Sequence, residues 1–83
     1  MIRSTVFDHL PNIEAAAEAV TEGTAMCSSE QLAGQYAFDA AKDAGCGFDA
    51  AYLEAHLDFL RDAGARFEPA QALQVAQQFA AEA

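Results

Sequence analysis

Lys42-Asp43-Ala44-Gly45-Cys46-Gly47-Phe48-Asp49-Ala50-Ala51 recurs nineteen residues later as Arg61-Asp62-Ala63-Gly64-Ala65-Arg66-Phe67-Glu68-Pro69-Ala70. Each copy has the parts of a joint between two helices. A basic residue near a helix C-terminus answers the negative end of the macrodipole, a glycine accepts positive φ, a phenylalanine folds back on the turn before it, and an acid caps the next helix. A joint used twice implies three consecutive helices with similar corners. Two units are too few for a solenoid, which needs at least about three repeats to bury a continuous core.

Outward from these joints the apolar spacing stays helical, with no alternating run that reads as a strand. Ser4 and Thr5 are suited to cap a short helix over Val6, Phe7 and Leu10, and Pro11 suits the first turn of a second helix running to about Glu22 and stopping at Gly23. Its inner face is Ile13, Ala16, Ala17 and Val20. Ser28 and Gln31 form a capping-box pattern that opens a third helix ending at Gly45, with Leu32 and Tyr36 on one side, Phe38 on another, and small residues between. That profusion of small residues allows close neighbours and makes this the expected central helix. Asp49 caps a fourth helix expected to bury Tyr52, Leu53, His56, Leu57, Phe59 and Leu60 and to end at Gly64. Pro69, after Glu68, starts a fifth with Leu73, Val75, Ala76 and Phe79 inward. The expected fold is all-α, one domain over residues 1–83: a compact bundle of four to five short helices with Gly-capped corners.

Composition supports a folded domain. At 83 residues there is room for one core, and 53% hydrophobic content suffices to build it despite a net charge of −9. No apolar run reaches the roughly 20 residues a bilayer requires, and the first residues lack the basic-then-apolar layout of a secretory signal, so a cytoplasmic, non-membrane protein is expected.

The charge is patterned. Acid outnumbers base thirteen to four, and no Lys or Arg lies between Arg3 and Lys42. Glu14, Glu18 and Glu22 fall at i, i+4, i+8, as do Glu54, Asp58 and Asp62, so each set lines one side of its own helix. Like charges at that spacing oppose helix formation by roughly 0.2–0.5 kcal/mol per pair. Surface acids also keep alanine-rich helices in solution, and a positively charged partner is the simplest functional use of such rows. Helical rise sets successive members about 6 Å apart, an interval comparable to that of phosphates along a strand. A second possible surface is the uncharged row Gln71, Gln74 and Gln78, which suits an adaptor or a homodimer.

Other function classes are disfavoured residue by residue. Four basic residues cannot supply the positive footprint of direct nucleic-acid binding, and no Gly-rich phosphate loop is present. His56 falls with Tyr52 and Phe59 on the apolar side, as a core histidine would. Cys46 follows a helix C-terminus, where the dipole disfavours a thiolate. Cys27 precedes a helix N-terminus and is the better reactive thiol, but no histidine neighbours it in sequence. Cys27 and Cys46 with His9 and His56 lack Cys-x-x-Cys or His-x-x-x-His spacing, so neither a metal nor any other cofactor is expected, and both thiols are expected reduced. A thiol- or metal-dependent function through Cys27 and Cys46 is the remaining alternative from a different class. Ser4, Ser28 and Ser29 lack the Asp-Ser-Leu context of an acyl carrier. The expectation is a non-enzymatic module that binds another protein, with the acidic rows preferred, in the manner of a small phage-type inhibitor or DNA mimic occupying a basic surface.

Ala41-Lys42-Asp43-Ala44-Gly45-Cys46-Gly47-Phe48-Asp49, followed by Leu53, resembles the Ala-Lys-x-x-Gly-x-x-Phe turn and acidic helix of the nitrogen-fixation-cluster-type leader domain of ribosomal peptide precursors. The resemblance covers about residues 41–55. This chain departs from that family in having no Gly-Gly processing site and no Cys-, Ser- and Thr-rich core. What the resemblance implies is a free-standing relative recognised by another protein, which is again a binding module.

Overall fold

The computed structural model describes residues 12–83, which form four helices in the order α1 (Ile13–Glu22), α2 (Ser29–Ala44), α3 (Ala50–Asp62) and α4 (Pro69–Glu82). There is no strand among the described residues. The short helix expected over Val6, Phe7 and Leu10 lies outside them, as do Pro11 and His9.

Each helix begins where a side chain satisfies the first free amides. Asn12 accepts from the Ala15 N–H at 2.9 Å, so α1 starts at Ile13 behind an Asx cap. The reciprocal box at α2 forms: Gln31 N–H donates to Ser28 Oγ and Ser28 N–H to Gln31 Oε1. Asp49 accepts from the Tyr52 N–H at 3.1 Å, and Glu68 accepts from the N–H groups of Ala70 and Gln71 ahead of a helix that opens with Pro69.

The C-termini are not uniform. Gly45 ends α2 in the left-handed region at φ 73°, whereas Gly23 combines φ 67° with an extended ψ of −172°. The expectation that α3 is capped by Gly64 is corrected: the cap is Ala63, in the right-handed region, and Gly64 follows at φ 111°. The two echoed joints nevertheless close with the same backbone bonds. Cys46 N–H reaches Ala41 O and Gly45 N–H reaches Lys42 O; nineteen residues on, Ala65 N–H reaches Leu60 O and Gly64 N–H reaches Arg61 O. These are the paired bonds of a Schellman turn, and they satisfy carbonyls that a helix end leaves open.

α2 is the central helix, contacting α1, α3 and α4, with α4 its main neighbour; α1 meets α2 and α3 but not α4. Among the described residues, eight of the thirteen buried apolar residues are alanine, so the helices approach closely. Gly34 marks the tightest point. A Cβ built there would lie 2.6 Å from Val75 Cβ and 2.9 Å from the Ala72 carbonyl oxygen. The bulky part of the core is Val20, Leu32, Leu53, Leu57 and Leu60. Two long-range bonds fasten the α3–α4 joint to the rest: Arg66 N–H donates to Thr21 Oγ1, and Glu68 N–H donates to a Glu30 carboxylate oxygen, both at 2.8 Å. A radius of gyration of 11.3 Å is that of a compact chain of this length, for which about 11–12 Å is usual.

The inner face of α1 is Ile13, Ala16, Ala17 and Val20, with Ile13 only partly covered. On α3 the expectation is corrected. Leu53, Leu57 and Leu60 are buried and His56 is half-buried, but Tyr52 and Phe59 are 48% and 53% exposed. The three leucines at i, i+4 and i+7 already fill the stripe facing the bundle, and at about 100° per residue Tyr52 and Phe59 fall roughly a quarter turn or more beyond it. On α4, Ala72 and Ala76 take the fully buried positions, while Leu73 and Val75 are half-buried and Phe79 reaches the surface. A thin, alanine-lined contact with α2 leaves no depth for Phe79. Its ring instead stacks on Phe38 at 5.7 Å, which stacks in turn on the corner residue Phe48 at 5.1 Å, with Lys42 Nζ 5.8 Å above the Phe38 ring.

Candidate functional site

The acidic rows reach solvent intact. Glu14, Glu18 and Glu22 are exposed along α1, and Glu54, Asp58 and Asp62 are exposed along α3. Local helix geometry places them so: the buried stripe of α1 takes positions 16, 17 and 20, and that of α3 takes 53, 57 and 60, which turns both rows outward. Among the described residues Asp58 alone of the six has an ion-pair partner, Arg61, at 3.8 Å on the same helix. At that length on the surface such a pair contributes little and is easily exchanged for another cation. Each row stays on its own helix; no hydrogen bond or ion pair joins one row to the other among the described residues.

Glu54 and Asp58 border a shallow groove of about 400 Å³ between α3 and α4, whose floor includes Leu57, Pro69 and Leu73. On the other side of the α3 row, across the exposed Ala51 and Ala55, stand Tyr52 and Phe59. The Tyr52 ring lies beside the Gly47 turn, 3.8 Å from where a Cβ at that position would be. Sequence periodicity alone missed these two rings as surface residues. The leucine stripe was the available signal, since it competes for the same helix and wins.

The glutamine row is exposed too, but only Gln74 and Gln78 share a concavity, with Gln77 and Ala81; Gln71 does not line it. Gln78 also lines a groove of about 180 Å³ that Cys27, Gln31, Gln35 and Phe79 enclose. Cys27 is held by a Thr24 turn, in which its N–H donates to Thr24 Oγ1 at 2.9 Å.

Topology keeps Cys27 and Cys46 apart. Both thiols are free, and they flank opposite ends of α2, whose 16 residues span about 24 Å at 1.5 Å each. A disulfide needs Cα atoms within about 7 Å, and a shared ion needs them closer than a helix length. Among the described residues no three His, Cys, Asp or Glu side chains converge on a metal-sized position.

No protein-family model, curated protein or solved structure matches this chain. The functional reading therefore stands on the exposed side chains themselves. Among the described residues no helix is long and apolar enough to cross a membrane.

Proposed function

We propose that this chain is a small, acidic, non-enzymatic protein-interaction module of the cytoplasm, and that it occupies a basic, normally nucleic-acid-facing surface of a partner protein. The observation that carries this reading is the exposure of all six row carboxylates with, among the described residues, a single, long, surface ion pair. The arrangement costs the helices intrinsic stability, yet it presents negative charge at a repeat of about 6 Å along each axis. Such a surface steers a cationic partner and rejects anionic ones, through forces that salt screens. Nucleic acid itself is repelled by a net charge of −9. The leader-domain resemblance of residues 41–55 fits the same class, a helical element read by another protein.

The test is an affinity capture from host lysate at low and high salt, using wild type and the Glu14→Gln/Glu18→Gln/Glu22→Gln variant, followed by competition with duplex DNA. The expected result is a nucleic-acid-binding protein that is retained at low salt, released at high salt, displaced by DNA and lost with the variant. A salt-resistant partner still captured by the variant would overturn the reading and move the function to the Gln74 and Gln78 face.

A further inference from the structure

The outward face of α3 carries something a plain phosphate mimic does not need. Tyr52 and Phe59 are seven residues apart, so their rings sit about two turns, or roughly 10 Å, from each other on one side of the helix. Both are about half exposed in a protein whose core has only a few large apolar side chains. The carboxylate row slants toward them along the helix: Glu54 lies close to half a turn from Tyr52, Asp58 somewhat more than a quarter turn from Phe59 and Asp62 about a sixth of a turn from it, with Ala51 and Ala55 between row and rings. The result is an apolar strip with small side chains in its centre and one acidic border. Half-exposed aromatics at helical spacing are what an interface uses as anchors, because they bring large area at little entropic cost.

The border decides the occupant. A second copy docked antiparallel would set row against row, and in any arrangement two chains of charge −9 repel each other. An anionic partner meets the same objection. A cationic amphipathic helix has neither problem: its lysines or arginines reach Glu54, Asp58 and Asp62 while its apolar side chains lie over Ala55 between the two rings. We infer that the α3 face formed by Tyr52, Ala55, Phe59, Glu54, Asp58 and Asp62 is the docking site for a basic amphipathic helix of the partner protein. This rests on the acidic-module reading above and adds an apolar anchor to it. Charge brings the partner to the module, and the two rings fix its position on α3.

The experiment uses the full chain and two labelled peptides of about 14 residues, four helical turns: a Leu/Lys amphipathic helix, and its counterpart with every Leu replaced by Gln and the same lysines. Fluorescence anisotropy of the peptide gives the affinity, since the chain itself has no tryptophan. The Leu/Lys peptide is expected to bind roughly tenfold or more tightly than the Gln/Lys one, the scale of one or two anchor residues. That preference is expected to vanish in Tyr52→Ser/Phe59→Ser and to survive in Glu14→Gln/Glu18→Gln/Glu22→Gln. Amide shifts on adding the Leu/Lys peptide are expected along α3. Circular dichroism of the Ser variant guards against loss of fold, which is not expected at two exposed positions.

Equal, salt-sensitive binding of both peptides would overturn the anchor while leaving the acidic module standing. Binding of neither would overturn both. A preference that persists in the Ser variant, shifts confined to α1 or α4, or a wild-type dimer that Tyr52→Ser dissociates would each overturn the assignment to this face.

Discussion

Replacing Gly34 by alanine sets two well-known effects against each other. In the middle of a helix the exchange raises intrinsic propensity by about 0.8–1.0 kcal/mol, so a reading of α2 alone predicts a more stable protein. The structure predicts the reverse. The added methyl would lie 2.6 Å from Val75 Cβ and Cγ1 and 2.9 Å from the Ala72 carbonyl oxygen. Carbon atoms at rest sit about 3.5–4.0 Å apart, so the intrusion is roughly 1 Å. A rotamer change at Val75 moves Cγ1 but neither its Cβ nor the α4 backbone, and relief requires α4 to shift as a body. Overpacking of this kind costs typically about 1–3 kcal/mol and occasionally more. With the propensity gain subtracted from the upper part of that range, a net loss of about 1–2 kcal/mol is expected. For a domain of this size each kcal/mol is about 4–8 °C in Tm, so Tm should fall by roughly 5–15 °C. Thermal and urea unfolding followed by far-UV circular dichroism measure it, and Ala55→Gly on the exposed side of α3 calibrates the propensity difference in the same protein. Adding Val75→Ala should restore only part of the loss, because Cβ and the carbonyl remain. A Gly34→Ala protein as stable as wild type, or more so, would refute the claim that α2 and α4 meet backbone to backbone at this point.

Other perturbations separate core from surface and charge from packing. Leu53→Ala removes a fully buried side chain and should cost about 2–5 kcal/mol, a large part of a domain's usual stability of about 5–15 kcal/mol; Phe59→Ser, half exposed, should leave the urea midpoint within a small fraction of that shift. The Glu14→Gln/Glu18→Gln/Glu22→Gln variant relieves two i, i+4 repulsions and should gain about 0.4–1 kcal/mol, the lost attraction of Glu14 for the N-terminal dipole being offset by the relief of Glu22 at the C-terminus. That gain should shrink as salt rises in denaturation titrations. Burial holds the Tyr36 hydroxyl above its usual pKa of 10.0. The unfolded chain then releases this proton first, so stability is fully present below pH 10 and declines as pH rises through the higher folded value. Tyr36→Phe should lessen that alkaline decline in urea titrations on either side of pH 10, and an unchanged pH profile would show that Tyr36 does not contribute to it.

Much of the architecture is legible because it is local. Ser28 with Gln31, Asp49, and Glu68 with Pro69 are helix starts that need no tertiary context, and the helix breaks after Glu22 and Ala44 follow from glycines. The outward turn of the acidic rows is legible for the same reason, since charges seldom win a buried stripe. What escapes is decided between helices. Tyr52 and Phe59 are as apolar as their neighbours, and only the claim of Leu53, Leu57 and Leu60 on the single available face expels them. Ala65 and Ala72 are buried by closeness rather than by size, which no periodicity reports. The bonds from Arg66 to Thr21 and from Glu68 to Glu30 join residues 45 and 38 apart in sequence, and nothing in either partner announces the other.

The alanine-lined seam has a consequence for how such a chain can drift under mutation. Most cores tolerate exchange among Leu, Ile, Val and Met because volume lost at one position can be recovered next door. Here Ala33, Ala37, Ala41, Ala72 and Ala76 are fully covered, and an alanine has almost no volume of its own to give up. Enlargement has to displace a covered neighbour, and the only smaller choice is glycine, which weakens the helix. The permitted alphabet at the seam is therefore close to a single letter. Change is channelled to the outer faces of α1, α3 and α4, where the binding character of the molecule can be rewritten without disturbing the frame that displays it.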